Sequence, residues 1–397
     1  MRRFQIATQE EIKTGQTTDI YFTRTKEILE KEGLADLKVT AEITTSSLPR
    51  GWEWGILAGV EEAARLLEDV KVSVKSFPEG TLFHANDSSG IREPVMVLEG
   101  RYVDFCIYET PLLGLLCQAS GIATMAARVR RSAGAKTLFS FGIRRAHPAL
   151  APVIDRACYI GGFDAVSSLL GAEQLGKTPS GTMPHSLIVA TGDQVRAWKS
   201  FDQYMPKNVP RIMLVDTYFD EKTEAILAAE ALGDRLAGVR LDTPGSRRGD
   251  FSEIIREVRW ELDSRGFKNV KIYVSGGLDD ESVKTLSAAG ADGFGVGTSV
   301  SNAPSIDFAM DIVEADGKPV AKRGKFGGKK EVWRCDDCLL EHVALASAPS
   351  PRCEKCGGPT YKLLTELLQN GQITNPLPNP DAIRDYVIKQ LGHLTPA

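Results

Sequence analysis

Two hydrophobic rhythms divide the chain. Up to about residue 110, apolar positions either alternate with polar ones or return at helical spacing. KVTAEITTSS (38–47) alternates, the pattern of a half-buried strand. TRTKEILEKEG (23–33) is a short amphipathic helix closed by a glycine, and GILAGVEEAARLLEDV (55–70) has helical spacing. VKVSVKSFPEGTLFHAND (70–87) reads as two strands around a Pro-Glu-Gly turn, and REPVMVLEGRY (92–102) as another strand. The mixture predicts an N-terminal α/β sandwich over residues 1–110.

From residue 111 the rhythm changes. LLGLLCQASGIATMAARVRRSAG (112–134) is a long small-residue helix suited to tight packing. Short apolar strands then recur: TLFSFGI (137–143), CYIGGF (158–163), SLIVA (186–190), RIMLVD (211–216), LAGVRLD (236–242), VKIYVSGG (270–277) and DGFGVGT (292–298). Helical stretches separate most of them. Continuous apolar strands alternating with helices mean a parallel sheet buried on both faces. Six or seven such units in succession predict a closed or nearly closed (β/α) barrel over residues 111–300. Residues 301–334 are expected to return as connecting strands, and their basic, glycine-rich part, 318–334, to form a solvated hairpin. A tail at 361–397 carries a short polar helix near 380–391.

Composition removes several classes of function. The formal net charge is -4, so no basic domain advertises nucleic acid. No apolar run approaches the roughly 20 residues of a membrane helix, and the N-terminus lacks an apolar signal region. Seven cysteines in so long a chain do not form a disulfide framework. The expectation is a cytoplasmic protein with no membrane and no nucleic-acid partner.

In a (β/α) barrel the chemistry sits where strands end. The strand at 137–143 exits into Phe141, Arg144, Arg145 and His147. GTMPHS (181–186) carries Thr182 and His185, while RIMLVD and GVRLD end in Asp216 and Asp242, the latter just after Arg240. YVSGG brings Ser275, Gly276 and Gly277, and GVGT brings Gly295, Gly297 and Thr298. Glycines in the last two strand exits let backbone amides approach a phosphate, which barrels often bind there. An aspartate at a strand end commonly caps the next turn. Beside a phosphate and an arginine pair, Asp216 and Asp242 could instead accept ribose hydroxyls, hold Mg²⁺, or stabilise a cationic sugar. His147, before Pro148, reads as a helix-start histidine; His185, in a glycine-opened loop, reads as functional.

In this order FSFGIRRAHP, GTMPHS, LVDTYFD, VRLDTPGS, YVSGG and GFGVGT resemble the nicotinate phosphoribosyltransferases, in their compact archaeal-type form within the type II phosphoribosyltransferase family. TDIYFTRT (18–25) is similar to the family's N-terminal tyrosine segment. The resemblance covers about residues 15–300. It implies a sandwich packed on an irregular barrel, paired head to tail as a homodimer or a trimer of dimers with the active site at the dimer interface. It implies transfer of phosphoribose from phosphoribosyl pyrophosphate to nicotinate, giving nicotinate mononucleotide and pyrophosphate in NAD biosynthesis, with ATP as co-substrate. By motif, Phe141 would stack on the pyridine and Tyr21 of the partner subunit would cover its other face. Arg144 and Arg240 would meet anionic groups, and His185 would carry the phosphoryl group. Asp216 and Asp242 would serve ribose and Mg²⁺, and Gly276, Gly277, Gly297 and Thr298 the 5′-phosphate.

Cys335, Cys338, Cys353 and Cys356 form two C-x₂-C pairs, the sequence signature of a zinc ribbon at 335–360. Four thiolates close the coordination shell, so this Zn²⁺ is expected to be structural. The family does not generally carry such a ribbon. Alternatives are the quinolinate (decarboxylating) and nicotinamide enzymes of the same fold, and, in another class, a zinc-ribbon nucleic-acid-binding protein on a barrel scaffold.

Overall fold

The computed structural model describes residues 3–394. The chain forms two compact units, residues 125–303 and the segments on either side of them. Together they make a two-domain α/β fold whose parallel sheet is a curled half-barrel.

The first unit is built on a seven-stranded sheet. Its order is Lys318–Pro319, Phe308–Ala315, Lys38–Thr45, Met96–Arg101, Val72–Ser76, Thr365–Gln369 and Gln372–Ile373, with antiparallel neighbours. Alternation predicts one wet face for 38–47. The strand Lys38–Thr45 is instead buried at every position after Lys38. Its polar members have partners: Lys330 Nζ reaches Glu42 Oε2 at 2.8 Å. That pairing also corrects the reading of 318–334 as solvated, since Lys325 meets the buried Asp311 at 2.5 Å and Lys322 meets it at 2.6 Å. The two strands of 70–87 are not a hairpin. Leu82–Phe83 pairs with Gly55–Ile56, and only Val60–Leu67 of the 55–70 stretch is helical.

Residues 102–133 contain a helical stretch that is long and apolar enough to cross a membrane, contrary to the composition reading. Of its most apolar window 67% is buried within the protein, so it serves as a core helix. Small polar side chains tie it to the sandwich: Ile56 N donates to Thr124 Oγ1 at 2.8 Å and Ala58 N to Ser120 Oγ at 3.0 Å. The tail helix Pro380–Leu391 forms where expected, capped by Asn379. Lys330–Cys335, Glu341–Leu345 and Thr360–Lys362 make a small antiparallel sheet around the cysteine pairs.

The second unit has six parallel strands, ordered Ala165–Val166, Thr137–Ser140, Gly293–Val296, Lys271–Ser275, Gly238–Leu241 and Ile212–Leu214. The two end strands are not paired with each other, so the barrel does not close. Two expected strands are helical. CYIGGF ends the helix Ala151–Ile160, whose start is set by Pro152. SLIVA lies within His185–Thr191, which starts after Pro184 and stops at left-handed Gly192. A five-residue apolar run cannot by itself distinguish strand from buried helix.

Candidate active site at the strand ends

Because the six strands are parallel, their C-terminal ends share one edge, and most of the polar groups singled out above lie there. Asp216 follows Leu214 by two residues, and its Oδ2 accepts from Asp242 N at 2.8 Å and from Thr243 Oγ1 at 2.9 Å. Its Oδ1 is buried with no hydrogen-bond partner. Burial pushes this carboxyl above its ordinary range. Asp242 Oδ1 accepts from Ser275 Oγ at 2.6 Å, while its Oδ2 lies 3.5 Å from His185 Nε2 and 3.7 Å from Arg240 Nη1. Burial alone would raise Asp242; the His185 hydrogen bond and the Arg240 charge outweigh it and hold the carboxyl low.

Arg240 crosses the floor of this cluster. Its Nη1 donates to Ser275 Oγ at 3.0 Å and its Nη2 to the Met183 carbonyl at 2.9 Å, which anchors the loop leading to His185. The guanidinium lies 5.9 Å from the Phe141 ring centroid, and its Nε has no partner. Burial lowers its pKa. His185 Nδ1 lies 3.1 Å from Thr217 Oγ1, which leaves Nε2 between the two aspartates. The Asp242 hydrogen bond raises the histidine above 6.5 despite the opposing effect of burial.

The glycines have separable reasons. Gly276 and Gly277 both have left-handed φ, +94° and +69°, and a Cβ at Gly276 would come within 3.1 Å of the Asp242 carbonyl oxygen. Gly295 makes room for the Phe141 ring: a Cβ there would lie 2.3 Å from it. Phe141 in turn stacks on Phe139 at 5.8 Å. Gly297 caps the short helix Thr298–Ser301, whose first residue is exposed. Arg144 and Arg145 project from an exposed turn, Ile143–Arg145, after the same strand as Phe141. Thr182 is half-buried on the loop before His185. His147 Nδ1 accepts the Ala149 N–H at 3.2 Å, the capping role expected of it. Tyr21 belongs to the other unit, exposed on the helix Ile20–Lys31.

Several supports escaped the sequence reading. Glu224 is fully buried and accepts the backbone N–H groups of Thr217 (3.0 Å), Tyr218 (2.8 Å) and Phe219 (3.0 Å), which fixes the loop after Asp216. Glu221 Oε1 lies against the same Thr243 hydroxyl, whose single proton it shares with Asp216 Oδ2. Asp155, also fully buried, accepts from Ser140 Oγ at 2.9 Å and Ser168 N at 3.0 Å, joining two neighbouring strand ends. All three acids lie on helices, where they read as ordinary polar positions; only the burial of Glu224 and Asp155 within apolar helical stretches hints otherwise.

This edge can therefore present a partnerless carboxylate oxygen, a buried guanidinium against an aromatic face, and a glycine-lined turn. Those are groups for an anionic aromatic acceptor and a phosphorylated sugar. Comparison with known proteins agrees. The sequence matches two domain families, "Quinolinate phosphoribosyl transferase, N-terminal domain" over residues 19–120 and "Quinolinate phosphoribosyl transferase, C-terminal domain" over residues 122–311. It is 54% identical to a nicotinate-nucleotide pyrophosphorylase from Pyrococcus furiosus of known structure, with 99% of each chain covered and a TM-score of 0.95. It is 33% identical to a nicotinate phosphoribosyltransferase of Mycobacterium tuberculosis, covering 85% of this chain and 72% of that one. A Bacillus subtilis nicotinate phosphoribosyltransferase is 30% identical over 80% of this chain and 72% of its own. The chain belongs to the phosphoribosyltransferase family that these two domains define. It is a phosphoribosyltransferase of pyridine nucleotide biosynthesis.

The cysteines form a separate centre. Cys335 Sγ is 3.4 Å from Cys356 Sγ, and Cys338 Sγ is 3.4 Å from Cys353 Sγ; all four sulfurs lie within 4.8 Å of one another. Left-handed Leu339 and Gly357 close the two turns. Sulfurs bound to one tetrahedral ion at about 2.3 Å lie roughly 3.8 Å apart, so the cluster can hold a metal ion.

Proposed function

We propose that the protein is a nicotinate phosphoribosyltransferase, joining nicotinate to phosphoribosyl pyrophosphate with release of pyrophosphate, and that ATP hydrolysis drives it through His185. The observation that carries this reading is the position of His185 Nε2, 3.5 Å from Asp242 and 3.8 Å from Asp216, at the mouth of the glycine-lined edge. A histidine held there can take a phosphoryl group next to the sugar site. The curated relatives that align over most of the chain carry the nicotinate name.

In this reading Phe141 receives the pyridine ring, with Arg240 beneath it and Arg144 at the rim for its single carboxylate. The partner subunit's Tyr21 closes the other face, in a homodimer or a trimer of dimers. Gly276, Gly277, Gly297 and Thr298 receive the 5′-phosphate, with Ser275 holding Asp242 in place. Arg145 and Thr182 line the approach for the pyrophosphate. Asp216, whose Oδ1 is buried and unpartnered, and Asp242 fit Mg²⁺; bound there, the ion would neutralise the leaving pyrophosphate. As the bond to C1 breaks, the aspartates face the growing positive charge of the ribose. The four cysteines would hold a structural Zn²⁺, and the enzyme would work in the cytoplasm.

A second reading is the quinolinate enzyme, favoured by the name of the two domain families. Assay of the purified protein with phosphoribosyl pyrophosphate and nicotinate, nicotinamide or quinolinate separates them. Pyrophosphate release stimulated by ATP with nicotinate is expected. Turnover of quinolinate alone, with carbon dioxide evolved, overturns the proposal.

A further inference from the structure

The sandwich unit contains a second group of potential ligands, unrelated to the cysteines. His84, Glu93 and Glu341 bring a ring nitrogen and two carboxylate oxygens within 4.8 Å of one another. His84 directly follows the strand Leu82–Phe83, and Glu93 returns opposite it, its N–H donating to the Ala85 carbonyl at 3.3 Å. Glu341 opens the strand Glu341–Leu345, three residues after Cys338. Chain positions some 250 residues apart therefore meet here.

We propose that His84, Glu93 and Glu341 form a metal site for a first-row divalent cation, distinct from the four-cysteine cluster. Three observations support it. Glu93 is 1% exposed, its Oε2 takes only the backbone N–H of His84 at 3.2 Å, and its Oε1 has no hydrogen-bond partner. A buried carboxylate is not left so without a compensating positive group. The charge count points the same way. Glu93, Glu341 and Asp87 are all buried here; among the described residues the buried cation beside them is Arg334, fully committed to Glu341, Gln390 and the Leu82 carbonyl, while half-exposed His84 and His342 face Glu341 and Asp87, not Glu93 Oε1. Asp87 is satisfied by the N–H groups of Ser89, Ile91 and Val343, so it does not compete.

The third observation is orientation. Arg334 holds Glu341 through Oε1, its Nε at 2.9 Å, which turns Oε2 toward His84 Nδ1 at 2.9 Å. Two ligand atoms on one tetrahedral ion at about 2.1 Å lie roughly 3.4 Å apart, so these two need separate by only about half an ångström. Arg334 then acts as the outer partner that orients a ligating carboxylate. One nitrogen and two carboxylates suit zinc, iron or manganese rather than a soft ion such as Cu(I). Half-exposed His84 is the side from which the ion and a completing water enter. Such an ion would clasp the turn from His84 to Glu93 onto the hairpin that carries Cys335 and Cys338.

Full-length protein stripped with a chelator and dialysed against zinc tests this. Two zinc ions per chain are expected in the wild type, and one in Glu93→Gln, in His84→Ala and in Cys338→Ser. Should the variants not fold, titration of stripped wild type with Co²⁺ decides. The thiolate charge-transfer band should saturate at one equivalent, and a second equivalent should add only weak visible bands. One zinc per chain in the wild type, a second zinc that survives Glu93→Gln, or no spectral change beyond the first cobalt overturns the proposal.

Discussion

Glutamine at Glu224 is a small change with a large expected effect. The carboxylate is fully buried and accepts three backbone N–H groups, from Thr217, Tyr218 and Phe219. Its Oε1 takes two and its Oε2 one. A glutamine carbonyl can keep the first two, weakened from charge-assisted bonds of about 1.5–3 kcal/mol to neutral ones of about 1 kcal/mol. Its amide then faces the Thr217 N–H donor to donor, which leaves buried donors unpaired at about 1–3 kcal/mol. The sum is a loss of about 4 kcal/mol from the barrel unit. Thr217 also partners His185 Nδ1, so the same substitution loosens the histidine and Asp216 together. Displacement on the order of 1 Å at a reacting group costs about 10²-fold in turnover. Urea unfolding followed by far-ultraviolet circular dichroism, with pyrophosphate release at saturating substrates, measures both. A Glu224→Gln protein with the wild-type midpoint and the wild-type turnover refutes the reasoning.

Three further outcomes are expected. His185 is raised above 6.5 chiefly by its bond to Asp242, so its contribution to stability is complete below pH 6.5 and is lost as pH rises through the raised value. The neutral, nucleophilic ring grows over that same interval; ATP-dependent turnover should therefore rise with pH about a midpoint above 6.5, and Asp242→Asn should move the midpoint of ATPase activity downward. Gly297→Val puts a branched side chain where the Phe141 carbonyl lies 3.3 Å from an added Cβ, and should raise KM for phosphoribosyl pyrophosphate at least about tenfold; an unchanged KM removes Gly297 from the phosphate site. Cys338→Ser should weaken metal binding by the cysteine cluster and lower thermal stability in the presence of zinc, which elemental analysis and a thermal melt would detect.

Much of the site could be read from the sequence because parallel strands deliver their C-terminal residues to one edge. Once RIMLVD, GVRLD, YVSGG and GVGT are strands, Asp216, Asp242, Ser275 and Gly297 must be neighbours. Strand order and register settle which of them adjoin, while the roles given to them rest on the family resemblance. SLIVA failed because a short apolar run looks the same in a strand and in a buried helix, and Pro184 was the deciding residue. Lys330 and Lys325 looked solvated because a charge run gives no hint that Glu42 and Asp311 lie buried on other strands. Glu224 was overlooked because an acid in the first turn of a helix is common for reasons of the helix dipole alone. Partnerships that close across many residues leave no local mark.

The sandwich sheet also has a history written into its strand order. Lys38–Thr45 is a central strand, but its neighbour on one side, Phe308–Ala315, emerges from the ribosome roughly 260 residues later. At a synthesis rate of about 5–20 residues per second, that interval is on the order of 10–50 s. Throughout it the nascent sheet presents a row of unpaired backbone N–H and C=O groups, the kind of edge that pairs with whatever strand it meets. Residues 125–303, by contrast, hold all six strands of their own sheet and can complete it in order of synthesis. The late unit in the chain is thus the early one to finish, and the yield of soluble protein should depend more on chaperones that shield Lys38–Thr45 than on any property of the finished barrel.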